Sequence, residues 1–288
     1  MRQVTRIATV FAAIAAVFGT VAPAKAQIET SIGTFSPYIA GTTNYIFRGL
    51  SQSRKDPALQ AGIEYTKEFG AFTPYLGAFV SSVKFPSNNT PAGTVDIRQP
   101  RELDMFGGLR VKTPLDGLSV DLGFIAYTYP GNTAEDHHGI GANTYGDPQW
   151  NEIYGKLAYD AGFAVFVGSA HFAKDFSYGA GTGRYFEGGL DIPVPYGFLL
   201  SGRVGRQTIE RNFQFGVPDY TTWNVGLARD MTWPFAFSAS LVFSDTNIKK
   251  GASLGTDTVA VPAAAAVLGS DSYETTKPQV SLTLTKKF

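Results

Sequence analysis

Cysteine is absent from the 288 residues, so neither a disulfide framework nor a thiolate metal site can form. Histidine is scarce as well, with three in all, leaving few imidazoles for chemistry. Past residue 27 no apolar run approaches the ~20 residues that a membrane helix needs. Charge imbalance is missing too: Lys plus Arg and Asp plus Glu both number 24. A nucleic-acid binder would be basic, and a charged substrate would be steered by a net field. The sequence offers neither. Strong helical periodicity is also lacking after residue 27.

What is present begins with an export signal. Arg2 and Arg6 form a positive n-region, residues 7–21 an apolar stretch, and Ala24-Lys25-Ala26 a small-x-small cleavage site. Gly19, Thr20 and Pro23 interrupt the apolar stretch, which argues against a membrane anchor. Residues 1–26 are therefore expected to be a signal peptide engaged by the export translocon and removed before Gln27. Residues 27–288 then form one domain.

That domain alternates. Apolar and polar residues exchange places along twelve segments broken by Gly, Pro, Asn and Asp: 35–49, 56–69, 71–84, 102–114, 117–130, 148–160, 162–174, 183–193, 196–208, 219–230, 233–247 and 278–288. Each is long enough to cross a bilayer as a tilted strand. Connectors after odd-numbered segments are long (86–100, 131–147, 175–182, 209–218, 248–277), with 50–55 the short exception. Connectors after even-numbered segments are tight, as at Gly70 and at Asp160-Ala161-Gly162. This asymmetry is that of outer-membrane barrels, whose turns face the periplasm and whose loops face outside. With an even number of strands both chain ends are expected at the periplasmic side.

Because successive side chains of a strand point to opposite faces, alternation also assigns the surfaces. Leu103, Met105, Leu109 and Val111 oppose Glu102, Asp104, Arg110 and Lys112; Leu118, Val120, Leu122 and Phe124 oppose Ser119, Asp121 and Tyr127. Arg or Lys at the lipid midplane costs ~2–4 kcal/mol, so the polar faces should line a lumen. Lumen candidates are Glu102, Asp104, Arg110, Asp121, Glu152, Lys156, Glu187 and Arg203, with Glu64 and Asp191 in the same pattern. If the intervening turn is centred on Leu115-Asp116, Arg110 faces Asp121. Such charges could form a solute constriction or a salt-bridge network filling the barrel; twelve strands lie between the filled and the open sizes. Aromatic residues near strand ends (Tyr45, Phe47, Phe69, Phe72, Tyr127, Tyr129, Trp150, Trp233, Phe235) suit headgroup girdles, although β-propensity alone also favours them.

Other constellations carry less. Glu135-Asp136-His137-His138 has metal-ligand chemistry but lies in a long outer loop, and adjacent histidines rarely share an ion. His171, the one histidine in an expected strand, has no nucleophile motif beside it, so no serine-hydrolase arrangement is expected. Residues 254–268 are apolar for an outer loop and could fold inward or pack on the rim.

The block Asn44-Tyr45-Ile46-Phe47-Arg48-Gly49-Leu50-Ser51-Gln52, followed by Asp56-Pro57-Ala58-Leu59-Gln60, resembles the TorF porin family. Similarity continues through Glu102-Leu103-Asp104, Val120-Asp121-Leu122-Gly123-Phe124, Asn151-Glu152-Ile153-Tyr154 and Lys287-Phe288. The resemblance implies an outer-membrane barrel with channel activity. Within the block, Asp56-Pro57 supplies turn chemistry. Arg48 and Gln60 are expected to face one another, locking the first hairpin or, for Arg48, contacting solute. Val280, Leu282, Leu284 and the terminal Phe288 resemble the signal read by the barrel-assembly machinery; Lys286 departs from it and can snorkel to headgroups.

The expected protein is an all-β, twelve-stranded antiparallel transmembrane β-barrel, monomeric or weakly oligomeric, among the lipids of a Gram-negative outer membrane. Its expected role is passive diffusion of small hydrophilic solutes, with no enzymatic turnover, cofactor, metal or nucleic acid. The alternative is a closed barrel acting as a receptor, adhesin or structural element through its outer loops.

Overall fold

A computed structural model describes residues 27–84, 88–90, 93–95, 101–130, 148–231, 236–252 and 273–288. The export signal at 1–26, the Glu135–His138 cluster, Trp233, Phe235 and the apolar stretch 254–268 lie outside the described residues.

Twelve strands form the wall: β1 (Gly33–Thr42), β2 (Ala58–Thr66), β3 (Phe72–Ser82), β4 (Arg101–Lys112), β5 (Leu118–Thr128), β6 (Trp150–Asp160), β7 (Val165–Ala173), β8 (Gly183–Val194), β9 (Phe198–Ile209), β10 (Tyr220–Met231), β11 (Phe237–Thr246) and β12 (Gln279–Lys287). Each pairs antiparallel with its sequence neighbours, and β12 returns to β1, from Thr283 opposite Thr42 to Lys287 opposite Tyr38. Closure leaves no free sheet edge, the condition for a sheet to cross a membrane. The short strand Ile28–Thr30 pairs with Gly33–Phe35 on the edge of β1 beyond the reach of β12.

Exposure is inverted relative to a water-soluble protein. Leu59 is 71% exposed and Ile153 61%, and Leu76, Met105, Leu122, Val225 and Val280 are exposed with them. Glu102, Asp104, Arg110, Asp121, Glu152, Asp191 and Arg203 are buried. An apolar exterior around an ionic interior is stable only with hydrocarbon outside. The chain is thus an outer-membrane β-barrel, with its tight turns on the periplasmic side.

Those turns have local causes. Asp160 Oδ1 accepts the Gly162 N–H at 2.8 Å, and Gly162 takes the left-handed φ of 84° that closes the β6–β7 turn. Lys286 sits at the opposite end of its strand from the loops and donates to the Ala236 carbonyl in the β10–β11 turn, 3.2 Å.

Eleven strands lie within a few residues of their expected bounds; the first does not. Segment 35–49 was expected to run straight, with a short loop at 50–55, but β1 ends at Thr42 and the chain turns inward until Ala58. Inside the barrel Ile46–Phe47 pairs with Leu50–Ser51 around Arg48 and Gly49, whose φ angles are 47° and 82°. Two successive positive φ values make the tight hairpin turn whose twist matches its strands. The alternation of Tyr45 and Phe47 is therefore that of a separate hairpin. The aromatic girdle needs a similar correction: Phe69 and Phe72 are exposed at the periplasmic rim, whereas Tyr45, Tyr127, Tyr129 and Trp150 point inward and are buried.

Candidate channel lumen and the inward-folded hairpin

The hairpin crosses the lumen because its tip fits the far wall. Arg48 donates Nη1 to Glu152 Oε1 at 2.8 Å and Nη2 to Glu152 Oε2 at 2.6 Å, the paired geometry that suits guanidinium and carboxylate. Nη1 also reaches Gln207 Oε1 at 3.1 Å. The guanidinium lies 4.4 Å from the Tyr185 ring centroid. Glu152, Gln207 and Tyr185 belong to β6, β9 and β8, which stand across the barrel from β1 and β2. His171 Nδ1 lies 3.3 Å from Glu152 Oε2, its ring between those of Tyr154 and Tyr185.

At Gly49 a Cβ would stand 2.3 Å from Thr222 Oγ1 and 2.7 Å from Thr246 Cγ2. Only glycine fits the tip against β10 and β11, and it also relieves the left-handed backbone. Arg48 has no such relief. A non-glycine residue in that region costs ~1–2 kcal/mol, which the two charge-assisted bonds to Glu152 offset.

The hairpin root is held by uncharged groups. Thr283 Oγ1 donates to Thr42 Oγ1 (2.9 Å), Thr42 and Ser281 share a hydrogen bond of 2.7 Å, and Ser281 Oγ donates to the Asn44 carbonyl at 2.7 Å. Asn44 Nδ2 donates to Gln279 Oε1 at 2.7 Å; Gln279 Nε2 donates in turn to the Gly49 carbonyl at 3.0 Å. Ser51 Oγ closes the group on Asn44 Oδ1 at 2.6 Å.

Between root and tip, Tyr45 donates to Glu102 Oε1 at 2.7 Å. Its ring packs edge-on to Phe79, and Tyr127 stacks on Trp150 at 4.1 Å between centroids. Glu102 and Asp104 have no ion-pair partner among the described residues.

Deeper toward the periplasm a second cluster fills the β2–β6 side. Arg110 donates to both Glu64 oxygens at 2.9 and 2.6 Å, with Asp121 Oδ2 3.8 Å from its Nε. Tyr75 donates to Asp121 Oδ1 at 2.6 Å and meets the Tyr154 hydroxyl at 2.5 Å. Lys156 lies over the Tyr154 ring at 4.6 Å. On the other side Arg203 clamps both Asp191 oxygens at 2.8 Å, and Glu187 accepts from Tyr185 at 2.6 Å.

All eight lumen candidates thus lie on the inward face, but in separate groups. Arg110 stands in register with Asp121 as expected, while its two-oxygen partner is Glu64. The expected approach of Arg48 to Gln60 does not occur: Gln60 Nε2 bonds Ser81 Oγ at 3.3 Å, and Arg48 points across the lumen. Asp56 caps the root from outside, paired with Lys84 at 2.6 Å. Thr42, Gln279 and Ser281 carry no charge or motif that marks them in the sequence, and Asn44, though it opens the Asn44–Gln52 block, has nothing beside it that points to Gln279 as its partner.

The family model described as a bacterial protein of unknown function (Gcw_chp) matches residues 26–270, and the chain belongs to that family. No curated protein matches it. Among solved structures it is similar to an outer membrane channel from Pseudomonas putida F1, with 12% identity over 93% of this chain and 100% of that one, TM-score 0.51. The NanC porin gives 10% identity over 86% and 97%, TM-score 0.48. Against a porin refined at 1.8 Å it gives 13% identity and TM-score 0.38, over 80% of this chain and only 62% of that longer one. At these identities the likeness is one of fold.

Proposed function

We propose that this barrel is a passive outer-membrane channel for small hydrophilic solutes, whose outer half is narrowed by the hairpin of residues 43–57. The observation that carries the reading is a difference in accessibility along one wall. On β11 and β12 the inward Ser244, Gln279 and Ser281 are buried beneath the hairpin. Ser240, Thr283 and Thr285, on the same face but nearer the periplasm, are partly accessible. A polar vestibule that ends at a hairpin latched across the lumen by the Arg48–Glu152 pair has the build of a channel with a constriction. Glu102, Asp104, Arg110, Asp121, Glu152, Lys156, Glu187 and Arg203 are proposed to set its conductance and ion preference. The finer assignment to the TorF porin family rests on the Tyr45–Gln60 block. Cleavage after Ala26 and insertion by the barrel-assembly machinery through Phe288 belong to the same proposal, as does the lack of catalytic turnover and of a cofactor.

A specific observation favours a second reading. The hairpin, Tyr127 and Trp150 fill much of the outer lumen and the Arg110 cluster fills the β2–β6 side nearer the periplasm, as in a closed barrel acting through its outer loops. Planar-bilayer recording of the refolded protein separates the two. Discrete conductance steps, with ion preference changed by Glu187→Ala, are expected of a channel. A silent bilayer under all voltages, with partner binding lost on loop deletion, would replace it with the closed barrel.

A further inference from the structure

The outer wall carries a depression that the channel reading does not use. Across β6–β9 a cavity of about 530 Å³ opens on the lipid-facing side, floored by Gly155, Gly168, Ala170 and Gly188 and flanked by Phe186 and Val204. Inward-facing glycines of the same strands are required by packing. A Cβ at Gly205 would stand 2.3 Å from the Tyr185 hydroxyl, and one at Gly189 2.2 Å from the Gly202 carbonyl. The floor glycines are not. A Cβ at Gly168 or Gly188 would meet nothing nearer than a carbonyl oxygen at 3.9 Å, and neither residue has positive φ. Neither the backbone nor the chain's own packing demands glycine there. Their effect is to leave room outside the wall.

The outer end of the depression is cationic. Arg206 lies in the floor row of Ala170 and Phe186, and Arg184 one row nearer the outer rim, opposite Phe172. Both are exposed and face outward. Among the described residues Arg206 Nη1 reaches the Thr221 hydroxyl at 3.3 Å, and Arg184 lies 6.0 Å over the Phe172 ring. The rim carboxylates are engaged elsewhere: Asp175 with Arg211 at 3.8 Å, Asp219 with the Ile209 N–H at 2.8 Å, and Glu210 with the Thr182 N–H at 2.7 Å. That last hydrogen bond, helped by the charges of Arg211 and Arg184, holds Glu210 below the usual carboxylate range. Arginine on a lipid-facing surface is unfavourable unless it reaches anionic headgroups, and its fork suits phosphate oxygens.

We propose that the β6–β9 face seats a phosphorylated glycolipid of the outer leaflet, with an acyl chain in the Gly168–Gly188 depression and a headgroup phosphate on Arg184 and Arg206. The volume lies within the ~300–1,000 Å³ range of small-molecule sites. The row order places phosphate at the rim and hydrocarbon beneath it, as in a leaflet.

The test is native mass spectrometry of the whole protein in detergent, titrated with bisphosphorylated lipid A, its dephosphorylated form and phosphatidylglycerol. Expected is one bound bisphosphorylated lipid, weakened about tenfold by Arg206→Ala or Arg184→Ala and at least as much by Gly188→Leu, which fills the depression. Heat-modifiable gel mobility checks that each variant is folded. Equal binding of the dephosphorylated lipid, or of phosphatidylglycerol, would overturn the proposal. So would retention of binding in Gly188→Leu, or a glycine-dependent dimer in place of a lipid adduct.

Discussion

The two sides of the lumen solve the same problem with different chemistry. From β2 to β9 the interior is ionic and aromatic: Arg48–Glu152, Arg110–Glu64–Asp121 and Arg203–Asp191 are each buried and each geometrically matched. From β10 through β12 to β1 the part facing the hairpin is hydroxyl and amide, with Thr42, Asn224, Ser244, Thr246, Gln279 and Ser281, and the charges Asp230 and Lys287 lie only at its periplasmic end. Both sides bond most of their buried polar groups, and each leaves some without a hydrogen-bond partner among the described residues: Asp104 Oδ1 and Arg110 Nε on the ionic side, Asn224 Oδ1 and Ser244 Oγ on the neutral one. A charged pair, however, is strongly attached only while both partners remain, since removing one leaves a buried charge. Hydroxyls and amides lose little by losing one neighbour. The hairpin is thus rooted on the forgiving side and latched on the unforgiving one.

The largest effect is therefore expected at the latch. Arg48→Ala leaves the buried Glu152 carboxylate without the guanidinium that pairs with it and should destabilise the barrel by ~3–5 kcal/mol. Loss of heat-resistant gel mobility at a lower temperature would measure this. The released tip should also raise unit conductance in planar bilayers. If stability falls and conductance does not change, the hairpin is not the constriction and the contrast between root and latch has no functional meaning. Arg48→Lys keeps the charge without the two-oxygen geometry and should fall between native and alanine.

A smaller effect is expected deeper on the ionic side. Tyr75→Phe removes the hydroxyl shared by Asp121 and Tyr154 while keeping the ring that packs on Arg110. A buried acceptor deprived of its donor costs ~1–3 kcal/mol, measurable as a shift in the urea midpoint of unfolding from detergent. A shift under half a kcal/mol would mean that Arg110 alone satisfies Asp121.

These groups also mark how far the sequence could be read. Alternation located the wall because the lipid penalises every misplaced charge, so the inward parity of Glu102, Asp121 and Glu152 was legible from their neighbours. Register across a short turn was legible too, which is why Arg110 met Asp121. What no local pattern carries is the partner across a closed barrel. Arg48 and Glu152 are 104 residues apart and meet across the lumen, and Arg110 and Glu64 are 46 apart, with the whole of β3 between their strands. The inward turn at Thr42 is hidden for another reason: Tyr45 and Phe47 continue the strand's alternation, and Arg48-Gly49 lacks the Asn-Gly or Asp-Gly signature of a tight hairpin turn.

On the neutral side the expected cost is smaller again. Ser281→Ala breaks the run from Thr42 to the Asn44 carbonyl but leaves no charge behind, so ~0.5–1.5 kcal/mol is expected. Combined with Arg48→Ala, it should cost more than the sum of the two, because root and latch hold the same hairpin. Thermal melts of the two single variants and the double variant would show it. Strict additivity would mean that the hairpin is fixed by its packing and that neither attachment governs the other.

The smallest change in stability should accompany the most direct change in transport. Ser240 faces inward in the accessible, periplasmic half of β11, away from the ionic clusters. Ser240→Lys places a hydrated cation there with no buried group to offend, and surface-like substitutions of this kind stay within ~0.5 kcal/mol. Its field would act on any ion passing along the hydroxyl wall, so the reversal potential in a salt gradient should move toward anion preference. A lysine at the outward-facing Leu241 is the control for insertion defects, since it meets lipid and should cost ~2–4 kcal/mol. An unmoved reversal potential in a folded, conducting Ser240→Lys protein would put the path along the charged side, where Lys156 and Glu187 stand, and would reverse the functional roles of the two walls.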